Sequence, residues 1–86
     1  MKITILTKDD DSQSRETLDL GKQLSFEGYM VLELDLESED GQSLAGLYDI
    51  YNSPAVLVTT DSGGYIELWQ GQVPSLGDVR YRVQNV

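Results

Sequence analysis

A short stretch near the start of the chain, Lys8-Asp9-Asp10-Asp11-Ser12-Gln13-Ser14, gathers an amine, three carboxylates and two hydroxyls. Residues of these types can do two kinds of chemistry: carboxylates hold a hard cation, and an activated hydroxyl attacks an electrophile. A calcium loop needs oxygen ligands at fixed spacing, a central glycine and a closing bidentate glutamate. Counted from Asp9, the glycine position is Ser14 and the closing position is Leu20, so the pattern fails. The second acidic run, Asp35 to Gly41, fails in the same way, because its twelfth position is Gly46. Ser12 and Ser14 need an activating base, and the chain has no histidine to supply one. The role left for the stretch is structural. Ser12 or Ser14 can cap a helix, and Asp11 beside that N-terminus adds about 0.3–1 kcal/mol through the helix dipole.

Seven elements position these residues. Lys2–Thr7 is rich in β-branched residues and reads as a strand. A helix follows, with Leu18, Leu20, Gly21 and Leu24 on its apolar side and Gly28 as its stop. Tyr29–Leu36 is a second strand, with Leu32, Leu34 and Leu36 on one face and Glu33 and Asp35 on the other. Glu37–Gln42 reads as an acidic loop around Gly41, and a short helix from Ser43 to about Asp49 sets Leu44, Leu47 and Tyr48 on one side. Pro54 to Thr60 and Tyr65 to Gln70 are two strands joined by the turn Asp61-Ser-Gly-Gly, with Ile66 and Leu68 alternating against Tyr65, Glu67 and Trp69. The final helix begins at Ser75. Ser75 and Asp78 form an acidic capping box, Leu76, Val79 and Val83 form an apolar stripe, and Arg80 and Arg82 point to solvent.

The order β-α-β-α-β-β-α in so short a chain resembles a minimal thioredoxin fold. Thr7 to Ser14 is similar to the glutaredoxin segment that carries Cys-x-x-Cys, with Asp11 and Ser14 at the two cysteine positions. Tyr48-Asp-Ile-Tyr-Asn-Ser-Pro54-Ala-Val-Leu-Val resembles the thioredoxin stretch that runs into a cis-proline and the third strand. Gly71 stands where that family places a glycine before the last helix. The resemblance implies a cis Ser53–Pro54 bond facing the first helix across a groove. It also implies that the backbone of Ser53 pairs with a bound peptide or glutathione, and that Lys8 meets a ligand carboxylate. A trans proline opening an edge strand is the alternative. The Gly-Gly glutathione motif of a glutaredoxin is replaced here by Gly71-Gln-Val-Pro-Ser75.

The family's redox activity cannot be carried over. The attacking species in thiol–disulfide exchange is a thiolate, and the chain has no cysteine. The 86 residues amount to one domain, residues 1–86, with 40% hydrophobic residues for its core. A net charge of −9 repels phosphate backbones and anionic bilayers, which argues against nucleic acid or membrane as the main partner. No apolar run reaches the roughly 18 residues of a membrane span, and the first residues lack a signal peptide's pattern, so a cytoplasmic location is expected.

Among the aromatics, Tyr48 belongs to the core, and Tyr51 lies beside the implied groove, where it serves recognition or packing. Tyr65 and Trp69 share one strand face, and the second helix is expected to cover them. These readings converge on an α/β chain with a minimal thioredoxin-like fold, a four-stranded mixed sheet flanked by three helices. The expected function is non-catalytic, without cofactor or metal: binding a peptide or partner protein through Lys8, Asp11, Ser14, Tyr51, Ser53 and Pro54, as a monomer or weak homodimer. One alternative is a glutathione-type small-ligand binder or vestigial transferase with an anion site at Lys8. The other is a structural protein that self-associates through Tyr65 and Trp69.

Overall fold

A computed structural model describes residues 1–9 and 12–84. The elements are β1 (Lys2–Thr7), α1 (Ser14–Phe26), β2 (Met30–Asp35), α2 (Glu39–Tyr48), β3 (Ala55–Thr59), β4 (Tyr65–Gln70) and α3 (Leu76–Gln84). The sheet order is β2-β1-β3-β4. β1 and β2 are parallel, joined through α1, and the other two pairs are antiparallel. The expected order and mixed sheet are therefore present. None of the helices is long and apolar enough to cross a membrane among the described residues.

The period-two alternation of β1 and β3 divides the core into two layers. Ile3, Ile5, Val56 and Val58 face Leu20 and Leu24 of α1 and Val79 of α3. Leu6, Ala55 and Leu57 face the other way, toward Leu36, Ile50, Leu44 and Tyr48. Helix α1 ends in a Schellman motif: Tyr29 N–H donates to Leu24 O at 3.2 Å and Gly28 N–H to Ser25 O at 3.0 Å. Gly28 has φ +96°, the left-handed conformation that this closure demands. Helix α3 opens on the expected capping box, with Asp78 N–H donating to Ser75 Oγ at 3.0 Å and Ser75 N–H to Asp78 Oδ2 at 3.3 Å.

Several local expectations give way to tertiary structure. Helix α2 starts at Glu39, not Ser43, because Ser38 caps it: its Oγ accepts from Gly41 N–H at 3.0 Å. Glu39 and Asp40 then lie in the first turn, where the dipole favours carboxylates. Gly41 is a close-approach residue, not a loop breaker. A Cβ there would sit 2.0 Å from the Asp35 carbonyl oxygen. Leu47 falls off the buried side of α2 and is 73% exposed. At α1 neither serine is the cap. Gln13 occupies that position without a side-chain cap bond, and Thr17 is buried in place of Leu18, its Oγ1 donating to Gln13 O at 2.8 Å.

The largest departure is in β4. Thr59 pairs with Tyr65 but Val58 pairs with Glu67, so Ile66 is a bulged extra residue. The bulge moves Ile66 into the α1–α3 layer while Leu68 stays in the α2 layer. It also separates Tyr65 from Trp69. Trp69 pairs with Val56 and packs into the α1–α3 layer, so α2 does not cover it, and Tyr65 stays exposed on the other face. Arg80 and Arg82 do not simply face solvent. Arg80 reaches Glu27, and Arg82 lies 3.1 Å from Glu67 and donates to Ile66 O.

Candidate functional site

The end of the sheet where β1 stops is the place to which the sequence directs attention. Leu6 pairs with Ala55 in the last rung of the β1–β3 ladder, so Thr7 and Lys8 leave β1 at the end of the sheet where Ser53 and Pro54 lead into β3. The chain leaving β1 is tied to the start of α1 by Ser14, whose Oγ donates to Lys8 O at 2.7 Å. That bond commits the Ser14 proton to a backbone carbonyl. Ser14 is thus an anchor for the loop and not an activated hydroxyl. Asp11, expected at the same helix start, lies outside the described residues.

The loop from α2 to β3 forms the other wall. Asp49 ends α2 in the left-handed conformation at φ 58°, and Ile50 N–H closes the turn onto Ala45 O at 2.9 Å. Ile50 is buried in the α2 layer and Pro54 is fully buried at the start of β3, so both ends of the loop are pinned. The Ser53–Pro54 peptide bond is cis. Pro54 O accepts from Gly71 N–H at 2.9 Å, which joins the loop to the exit of β4.

Between these pins, one side chain from β4 organises the backbone. Gln70 Oε1 accepts from Tyr51 N–H at 2.7 Å and from Asn52 N–H at 3.1 Å, while Gln70 Nε2 donates to Asp49 O at 3.4 Å. A carboxamide has both donor and acceptor, so one residue can satisfy both polarities of a loop. Tyr51 is held by its backbone and leaves its ring outside, 76% exposed, with the hydroxyl donating to Asp49 Oδ1 at 3.3 Å. The structure therefore brings Lys8, Ser14, Ser53 and Pro54 to one end of the sheet and sets Tyr51 on the adjoining loop. Sequence reasoning missed Gln70. Its only sequence mark is its place as the last residue of β4, opposite Ala55.

Among the described residues no three of the histidine, cysteine, aspartate and glutamate side chains gather closely enough to hold a metal ion. The chain has no histidine, and the Ser14 hydroxyl at this end of the sheet is bonded to the Lys8 carbonyl. The arrangement combines a loop pinned at both ends, an exposed aromatic ring and an amine.

No protein-family model matches the chain, and no curated protein matches it in sequence. Similarity appears among solved structures. A malarial protein superposes with a TM-score of 0.77 at 13% identity, over 96% of this chain and 92% of that one. Thioredoxin 1 from the thermophilic eubacterium Thermosipho africanus TCF52B superposes with a TM-score of 0.65 at 16% identity, over 98% of this chain and 91% of its own. At such identities the likeness speaks for the backbone alone. The fold is thioredoxin-like, in a chain without cysteine.

Proposed function

We propose that this chain is a non-catalytic thioredoxin-like domain that binds an extended peptide segment of a partner protein. The segment lies across the groove between the start of α1 and the loop before β3. The observation that carries this reading is the loop's construction. Gln70, Ile50 and Pro54 fix its backbone, and the ring of Tyr51 is left exposed. A pre-ordered loop loses little conformational entropy on binding, and an exposed tyrosine supplies contact area with few rotatable bonds. Lys8 and Ser53 flank the same end of the sheet, where a peptide's carboxylate and backbone can be met.

Amide-shift titration of the 15N-labelled chain with a mixed pool of short extended peptides tests the reading. Shifts at Lys8, Ser14, Tyr51 and Ser53, lost in Tyr51→Ala, are the expected result. No shift at millimolar peptide overturns it. A parallel titration with reduced glutathione distinguishes the alternative ligand: shifts with glutathione but not with peptides replace the peptide by a small thiol. An insulin-reduction assay on the pure protein is expected to show no turnover, since no thiolate is present.

A further inference from the structure

The sheet has two edges, and they are finished differently. β4 forms one of them, and side chains close it. Its bulge at Ile66 interrupts the ladder, Arg82 Nη2 donates to the Ile66 carbonyl at 3.0 Å, and Leu68 N–H donates to Glu67 Oε2 at 3.2 Å. Bulges and charged side chains keep an edge from pairing with another chain. β2 forms the other edge, and its register with β1 runs from Lys2–Met30 to Thr7–Asp35 without a shift. Leu36 N–H donates to Thr7 O at 2.8 Å, which sets the phase of this strand. Met30, Leu32 and Leu34 therefore turn their backbone groups toward β1, and Val31, Glu33 and Asp35 turn theirs outward. Ser38 occupies the outward Asp35 carbonyl, through its N–H at 3.0 Å and its Oγ at 2.6 Å. Among the described residues no other hydrogen bond reaches these outward groups, so those of Val31 and Glu33 and the Asp35 N–H stand open.

The side chains of this edge alternate in chemistry as they alternate in direction. Met30 and Leu32, on the α2 face, are 62% and 42% exposed, and Leu34 is half-buried beside them. Glu33 and Asp35, on the α1 face, are exposed, and among the described residues neither makes an ion pair. The charge around them is of one sign. Residues 23–79 contain ten carboxylates and no lysine, arginine or histidine. A strand laid on this edge sets each of its residues directly opposite one of β2, where opposite charges stabilise and like charges destabilise. A second copy is a poor occupant, because it carries the same net charge of −9. Pairing β2 with β2 about Glu33 or about Leu34 also opposes carboxylate to carboxylate.

We propose that the β2 edge docks an extended basic segment of a partner protein, which adds antiparallel to β2 as a fifth strand. From its N-terminal end, the segment carries a basic residue opposite Asp35, an apolar one opposite Leu34 and a basic one opposite Glu33. Apolar residues follow opposite Leu32 and Met30. Backbone bonds to Val31 and Glu33 supply affinity, and the alternation of basic and apolar side chains supplies specificity. The site uses none of Lys8, Tyr51, Ser53 and Pro54, and it does not depend on the groove of the preceding section.

The test is an amide-shift titration of the full 15N-labelled chain with the end-blocked peptide Lys-Val-Lys-Val-Thr-Val. Shifts concentrated at Val31–Asp35, with slower hydrogen exchange of the Val31 and Glu33 amides, are the expected result. Glu33→Gln is expected to weaken binding about two- to fivefold, the range of one cross-strand charge pair. Glu16→Gln, on α1 and with the same change of net charge, is expected to leave it unchanged. A peptide with glutamate in place of both lysines, and one N-methylated at the residues opposite Val31 and Glu33, are expected to leave the strand unshifted. Absence of shifts at millimolar peptide overturns the site. Equal weakening in the two variants, or undiminished binding of the N-methylated peptide, reduces the effect to general attraction between opposite charges and overturns strand addition. Shifts confined to Lys8–Ser14 and Tyr51–Ser53 put the peptide in the groove and overturn the β2 edge as its site. Movement of the Val31–Asp35 amides with protein concentration alone makes a second copy the occupant and overturns the basic partner.

Discussion

Arg80 holds Glu27 through two hydrogen bonds, Nε to Oε1 at 2.8 Å and Nη2 to Oε2 at 2.6 Å, across 53 residues of sequence. This fork joins α3 to the C-terminal end of α1 at the residue that terminates that helix. The hydrogen bond to Arg80 lowers the pKa of Glu27 from its ordinary value.

The pH dependence of the pair follows from that direction. A carboxylate with a lowered folded pKa contributes stability above its unfolded pKa, and the contribution disappears as pH falls through the folded one. Arg80→Met is expected to lower Tm at neutral pH. The gap from the parent is expected to close once Glu27 is protonated. Thermal melts of both proteins from pH 7 to pH 2 measure it. Because both groups are exposed to solvent, added salt is expected to narrow the gap.

Gly41→Ala tests the start of α2. Its methyl group would meet the Asp35 carbonyl at 2.0 Å, and backbone does not yield as a flexible side chain does. The expected loss is about 1–3 kcal/mol in urea denaturation, with an unchanged m-value. Gly46→Ala, in the same helix with nothing near its Cβ, is expected to be neutral or stabilising.

Ser38→Ala and Ser12→Ala separate a true cap from an expected one. Ser38 receives Gly41 N–H, and its loss is expected to destabilise by about 0.5–2 kcal/mol. Ser12 is exposed and precedes the helix, so its replacement is expected to stay within about 0.5 kcal/mol. Equal losses in the two variants would contradict the assignment.

Gln70→Leu removes the acceptor shared by Tyr51 and Asn52. Their amides are expected to exchange faster with solvent, and stability is expected to fall by about 1–2 kcal/mol. If Tyr51 exchange is unchanged, the loop is ordered by its two pinned ends alone.

What the sequence reveals here follows the range of the interaction. The Ser75–Asp78 box and the Gly28 stop are settled within three or four residues, and both are legible. The Leu6–Ala55 register, which brings Lys8 and Pro54 to one end, follows from matching two alternating strands and the resemblance to a known fold. Three features escape because their causes lie far along the chain. The bulge at Ile66 depends on β3, the fork from Arg80 depends on α1, and Gln70 serves a loop about 20 residues earlier. Gly41 misleads for a related reason. A glycine required by a neighbouring carbonyl and a glycine required by a turn look identical in a sequence.

The central place of β1 sets the timing of assembly. β1 lies between β2 and β3, and Lys2 pairs with Thr59, 57 positions later. On a ribosome, the β1-α1-β2 unit can form while one hydrogen-bonding edge of β1 is still bare. That edge is covered only when β3 emerges, so until then the nascent chain carries an open strand template. Long-range closure of this kind slows folding relative to a helical bundle of equal length. A chaperone that shields an extended edge would therefore act on this edge of β1 before β3 pairs with it, and would find the edge occupied afterwards.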